Sequence, residues 1–166
     1  NIYNHTVGTY SGTILVNDVT FTNDTNVVAF DGAGANVAQF LKEGDIFTMA
    51  GVNDINPVSR EDLGYLKQFV VLADVTTAAA AGNITCYPDI NDGSTAATAA
   101  YQTCSALPDN NAPITVVGTA ATRYPQNLAF HPNALALVVC PLELPDSAGF
   151  KARADWRGYS IRVVKD

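Results

Sequence analysis

The chain has 166 residues, 48% hydrophobic and 15% charged, so it can bury one real core and is neither a disordered polymer nor a salt-bridged helical surface protein. Its net charge of −7 gives the wrong sign for holding a phosphate backbone, which argues against sequence-reading of DNA. No stretch approaches the ~20 apolar residues that cross a bilayer, the run from Ala134 to Leu142 being about half that length, so a soluble protein with no membrane partner is expected.

Thr, Val, Ala and Asn are abundant, which favours strands and turns, and the expected fold class is mainly β. Asn1 opens the chain without Met, charged n-region or apolar h-region; the expectation is a chain without a signal peptide, either processed or part of something longer. Residues 1 to 36 read as short extended segments, Gly12–Asn17, Val19–Thr22 and Asn26–Phe30, punctuated by Asn17-Asp18, Asn23-Asp24 and Asp31-Gly32. Ala35 to Leu41 has room for one or two helical turns. Lys42-Glu43-Gly44-Asp45 then marks a turn into the apolar strand Ile46 to Val52.

A polar loop, Asn53 to Gly64, leads to the strand Lys67 to Asp74, whose residues are apolar on both faces and predict a central position. Ala-rich Thr76–Gly82 connects to Asn83–Pro88, and four extended segments with short turns suggest a small antiparallel barrel or sandwich. Thr95 to Ala106 is the best helix candidate, ended by Pro108 and followed by the strand Ile114 to Gly118. Beyond Tyr124-Pro125 come the apolar run, a Pro-rich break at Pro141–Pro145, and two strands in Phe150–Val164 around Asp155-Trp156-Arg157-Gly158. The expected barrel core is Ile46, Phe47, Phe69, Val71, Ile84, Val116 and Val117.

Chemistry-bearing motifs are scarce. There is no GxGxxG, P-loop, HExxH or GxSxG, and the only histidines, His5 and His131, lie far apart in the chain. His131 before Pro132 reads as a turn residue. Cys86, Cys104 and Cys140 have no CxxC spacing and read as buried free thiols, a Cys86–Cys104 bridge being the alternative in an oxidising compartment. Asp89-Ile90-Asn91-Asp92-Gly93 faintly resembles a calcium loop, but lacks its fifth-position ligand and terminal Glu, and reads as an Asx turn. Asn-x-Ser/Thr triplets at Asn4, Asn23 and Asn83 are glycan acceptors only in a eukaryotic secretory setting. Trp156 between Arg153 and Arg157 suits packing, or a sugar or base platform. No catalytic residue, metal or cofactor is expected.

Five segments together carry a resemblance: "HTVGTYSGT" at His5–Thr13, "KEGDIFTMAGV" at Lys42–Val52, "LKQFVVLADV" at Leu66–Val75, "NLAFHPNALALVVCPLELP" at Asn127–Pro145 and "KARADWRGYSIRVVKD" at Lys151–Asp166. In order and spacing they resemble coat proteins of the Salmonella podovirus type, a branch of the Hong Kong-97-type capsid fold with an inserted domain. The resemblance implies that residues 1–120 form the inserted six-stranded antiparallel β-barrel and residues 121–166 a partial capsid core segment. It implies a non-enzymatic virion subunit, assembled in the bacterial cytoplasm. Its partners would be other coat copies together with scaffolding and portal proteins, around a genome enclosed without sequence-specific binding. The family's N-terminal arm, extended loop and spine helix have no counterpart here, and Asn17–Asn26 is short for a loop reaching another capsomer.

Within Asn53–Gly64 the residues Asn53, Asp54, Arg60, Glu61 and Asp62 are expected to form a subunit or interdomain contact. Arg60-Glu61-Asp62 puts three adjacent charges of mixed sign in a charge-poor chain, which suits complementary pairing; a solvated loop is the alternative. Two other function classes stay open: a β-sandwich binding module on a virion or cell surface, and a hydrolase using Glu61/Asp62 or Asp89/Asp92. The apolar character of Asn127–Leu142 speaks against the binding module, and neither carboxylate pair has an evident partner.

Overall fold

In the computed structural model of the chain, residues 4–18, 21–127, 129–136, 138, 140–141, 143–146 and 149–165 are described. Ten strands account for almost all regular structure: β1 (Asn4–Thr6), β2 (Gly12–Val16), β3 (Thr25–Ala33), β4 (Ile46–Ile55), β5 (Asp62–Val71), β6 (Gly82–Ile90), β7 (Ile114–Val116), β8 (Arg123–Pro125), β9 (Phe150–Trp156) and β10 (Tyr159–Lys165). Contacts divide the chain into two compact units, residues 1–127 and 128–166.

The first unit is a six-stranded antiparallel sheet in the order β2-β3-β6-β5-β4-β7. Its two edges meet: Leu15 bridges Pro113, Val16 N–H donates to Ala112 O at 3.0 Å and Asn111 N–H to Val16 O at 2.8 Å. The sheet is therefore a nearly closed barrel, which leaves little open edge to attract another strand. Period-two alternation sends Ile14 and Val16, Val28 and Phe30, Ile84 and Cys86, and Ile114 and Val116 to the interior, all buried. Along β4 the phase slips from Phe47 and Met49 to Val52 and Ile55, across a bulge where Gly51 has φ +81°. Phe47 pairs directly with Phe69 of β5, and their rings stack at 5.6 Å.

Several expectations change in this setting. Of the expected core, Phe47, Phe69, Val71, Ile84 and Val116 are buried; Ile46 is half-buried and Val117 is 48% exposed, because both stand on the outward phase of their strands. β5 is central, but Leu72 beyond its end is exposed and Gln68 faces out, so only one face is covered. A barrel has one inside, and a continuous apolar run cannot bury both faces there.

Neither expected helix forms. Within Thr95–Ala106 there is only a turn of 3-10 helix, Ala99–Tyr101. The fully buried Asn91 diverts this segment: its Nδ2 donates to Thr98 O, and its carbonyl accepts the N–H groups of Thr103 and Cys104. Ala35–Leu41 is a run of turns with Asn36 and Gln39 at positive φ. Buried Thr77 holds it, accepting from Val37 N–H and donating to Gly34 O. Weak local propensity yields to tertiary hydrogen bonds at both places. The expected segment Val19–Thr22 begins at residues 19–20, which lie outside the described residues.

β1 and β8 form a separate two-stranded pair whose bonding to the barrel centres on Asp45. The Asp45 carboxylate, fully buried, accepts from Gly8 N–H at 3.0 Å and Lys42 N–H at 2.8 Å, and His5 Nε2 lies 2.6 Å from its other oxygen. Cys86 and Cys104 are buried free thiols as expected, whereas Cys140 is exposed.

The second unit carries the β9–β10 hairpin, placed as expected, with Arg157 and Gly158 as its two-residue turn at φ 47° and 84°. Earlier in this unit His131 caps a short 3-10 turn, Pro132–Ala134, its Nδ1 accepting from Asn133 N–H, which is the turn role expected. The apolar run does not bury itself: Leu135 is 73% and Val138 87% exposed, while residues 137, 139 and 142 of the run lie outside the described residues.

Three measurements test this architecture. Phe69→Ala should cost about 3–5 kcal/mol in urea melts and Val117→Ala about 0.5 kcal/mol or less; a loss under about 1 kcal/mol at Phe69 would take that strand out of the core. Asp45→Ala strands two backbone donors and should cost about 3 kcal/mol or more; a loss below about 1 kcal/mol would remove its bonding role. Burial, reinforced by the Asp89 charge, pushes the Cys86 thiol from 9.0 up to about 12. Because the raised value belongs to the folded state, stability should fall as pH climbs above about 9. A native-state alkylating reagent at about pH 8 should label Cys140 and spare Cys86.

Candidate functional site

The expected contact residues sit on the β4–β5 hairpin, and the polar loop is shorter than its sequence suggests. β4 runs on through Ile55 and β5 begins at Asp62, leaving residues 56–61 as the turn. Asn56 builds that turn: its Oδ1 accepts from Val58 and Ser59 N–H, its carbonyl accepts from Arg60 N–H at 2.8 Å, and its own N–H donates to Glu61 O at 2.9 Å.

The three adjacent charges separate in space. Arg60, at φ +64°, turns its guanidinium inward, donating to Ala100 O at 2.5 Å and Gln102 O at 3.3 Å. Glu61 is exposed, with Ser59 Oγ 3.4 Å away. Asp62 accepts from Asn53 Nδ2 at 2.9 Å and from Gly64 N–H at 2.7 Å, and these two bonds hold its carboxyl below the usual carboxylate range. Asp54 pairs instead with Lys67 at 2.8 Å. The structure thus brings Asn53 and Asp62 together, gives Asp54 a different partner, and uses Arg60 to tie the turn to the 3-10 segment.

The more telling feature was not singled out in the sequence. From Asp62 to Leu66 every residue of β5 is exposed, so neither face of this half-strand is covered. Leu63 is 42%, Tyr65 57% and Leu66 40% exposed, and Val58 at the turn 90%. Leu63, Tyr65 and Leu66 break strict alternation, which was the available signal.

Elsewhere, Asn91 Oδ1 accepts from Gly93 N–H and Asp92 Oδ1 from Ser94 N–H, the Asx-turn arrangement expected of the calcium-like segment. Among the described residues no three His, Cys, Asp or Glu side chains gather as a metal site. Trp156 is 65% exposed, so it is not a packing residue within its hairpin; Arg157 stacks on it with Cζ 4.8 Å from the ring centroid.

A family model described as "P22 coat protein - gene protein 5" matches residues 7–166. Among solved structures, the CUS-3 coat protein I-domain aligns at 22% sequence identity and a TM-score of 0.46, over 64% of this chain and 96% of that one. No curated protein matches. The family match spans nearly the whole of a mainly β chain, and the chain therefore belongs to the P22 coat protein family, as a structural subunit of the virion capsid that assembles with further copies of itself.

Proposed function

We propose that the first unit, residues 1–127, is the inserted barrel of the coat protein, that the chain beyond it belongs to the shell-forming core, and that the β4–β5 hairpin makes a contact with another part of the coat protein or with a neighbouring subunit. The observation that carries the contact reading is the uncovered half-strand Asp62–Leu66 with Val58 beside it. Apolar side chains exposed on both faces of a paired strand suit a partner better than they suit water. Since Arg60 is bound inward, the contact would use Glu61, Asp62 and these apolar groups, with Asn53 and Asp54 bracing them from β4. β8 pairs with β1, which supports a barrel that continues to Pro125 before the core begins.

On the same reading, scaffolding and portal proteins are further partners, assembly takes place in the bacterial cytoplasm, and the genome is enclosed without sequence-specific binding. The last point is supported by charge: residues 1–127 carry twelve acidic against four basic side chains.

In full-length coat protein, Glu61→Lys should leave the stability of the barrel within about 0.5 kcal/mol while lowering the yield of closed shells or changing their size, as counted by electron microscopy at matched expression. Wild-type shells from that variant would reject the contact role. Arg60→Glu is expected to behave differently, costing about 1 kcal/mol of barrel stability because two carbonyls lose their donor.

A further inference from the structure

A second surface of the barrel has chemistry that the second unit of the same chain matches. The Arg60 turn and the 98–103 segment border an open groove of about 460 Å³ on the barrel, lined by Asp24, Pro57, Tyr87, Asp89 and Tyr101 among others. Tyr87 is 64% and Tyr101 73% exposed. The one basic residue in the lining, Arg60, has its guanidinium donating to backbone carbonyls. Asp24 and Asp89 are exposed, and neither carboxylate takes part in an ion pair among the described residues. The groove therefore offers two aromatic faces and two unneutralised anions, a combination that selects a cation carried with an aromatic or other flat group.

The tip of the β9–β10 hairpin carries such a pair. The turn residues Arg157 and Gly158 project from the end of the ladder, and the Arg157 guanidinium lies over the exposed Trp156 ring. Charge is divided along the chain in the same sense: residues 1–127 sum to −8, whereas residues 150–165 hold five basic side chains and one acidic, Asp155. We propose that Trp156 and Arg157 of one copy dock in the Asp24/Asp89/Tyr87/Tyr101 groove of a neighbouring copy. Tip and groove are different surfaces, so the contact is head-to-tail, the type of interface that closes into rings when its rotation allows. Trp, Tyr and Arg are also the residues that most often dominate binding energy at interfaces. The proposal rests on the reading that copies of this chain assemble with one another, and it names the surfaces that meet.

Sedimentation velocity on the whole chain over a wide concentration range at low salt tests it. Wild-type chain should associate with rising concentration, less so as salt screens the charges. Arg157→Ala on the tip, and Asp24→Asn with Asp89→Asn in the groove, should each weaken association more than about tenfold; circular dichroism should show both variants folded, since all three side chains are exposed. Mixing the two variants should restore association, stopping at a pair, because the intact tip of one meets the intact groove of the other. Association that ignores both variants would overturn this docking while leaving assembly through other surfaces standing. A chain that sediments as a monomer at every concentration, or a mixture that fails to associate, would overturn it as well. Duplex DNA held by the wild-type chain and lost on Arg157→Ala, without self-association, would assign the basic tip to nucleic acid and likewise reject the proposal.

Discussion

One buried carboxylate does much to join the smaller parts of the barrel unit to its sheet. Asp45 stands at the mouth of β4, where its side chain collects Gly8 N–H, Lys42 N–H and the His5 ring, while its own carbonyl accepts Val71 N–H from β5. A carboxylate with no access to water is tolerable only when its oxygens are filled; here the groups that fill them come from two stretches of chain, residues 5–8 and the turn at Lys42, and Val71 adds a third through the Asp45 backbone carbonyl. β1, the turn before β4 and the end of β5 are thereby fixed relative to one another. The pairing of β1 with β8 follows, because the strand that carries His5 is also the strand that receives Arg123–Pro125.

Asn91 plays a comparable part at another place in the same unit. Completely buried, it organises the Asx turn after β6 and the return of the chain at Thr103 and Cys104. Arg60 reaches the carbonyls of the same returning segment from the β4–β5 turn. Position in this region thus comes from polar groups that are satisfied inside the unit, while the apolar groups Val58, Leu63, Tyr65, Tyr87 and Tyr101 are left outside. That inversion is expected of a subunit whose surface is completed by other protein, since a monomeric surface rarely keeps large apolar patches uncovered.

The hairpin of the second unit shows the same economy. Along its ladder Trp156 faces Tyr159, Ala154 faces Ile161 and Ala152 faces Val163, so one face is apolar as far as the open end, where Lys165 stands opposite Phe150. Its other face holds Lys151, Arg153 and Arg162, of which Lys151 pairs with Asp146 and Arg162 donates to Glu143 O. A two-stranded hairpin is marginal alone in water. Its apolar face is exposed, like the uncovered half of β5.

Sequence by itself determined the fold class, the strands with clear alternation and the β9–β10 hairpin. Each depends on neighbours along the chain, where period-two patterning and turn residues act directly. The order and spacing of five segments also carried the resemblance to phage coat proteins, because a family likeness is a property of the sequence. Tertiary structure alone decided what distant residues did to one another. It paired His5 with Asp45 across 40 positions, turned Arg60 inward and parted it from Glu61, and replaced the Thr95–Ala106 helix with turns around Asn91. It also chose which apolar residues were left exposed, because barrel closure supplies a single interior and the phase of each strand at its bulges decides which side chains reach it.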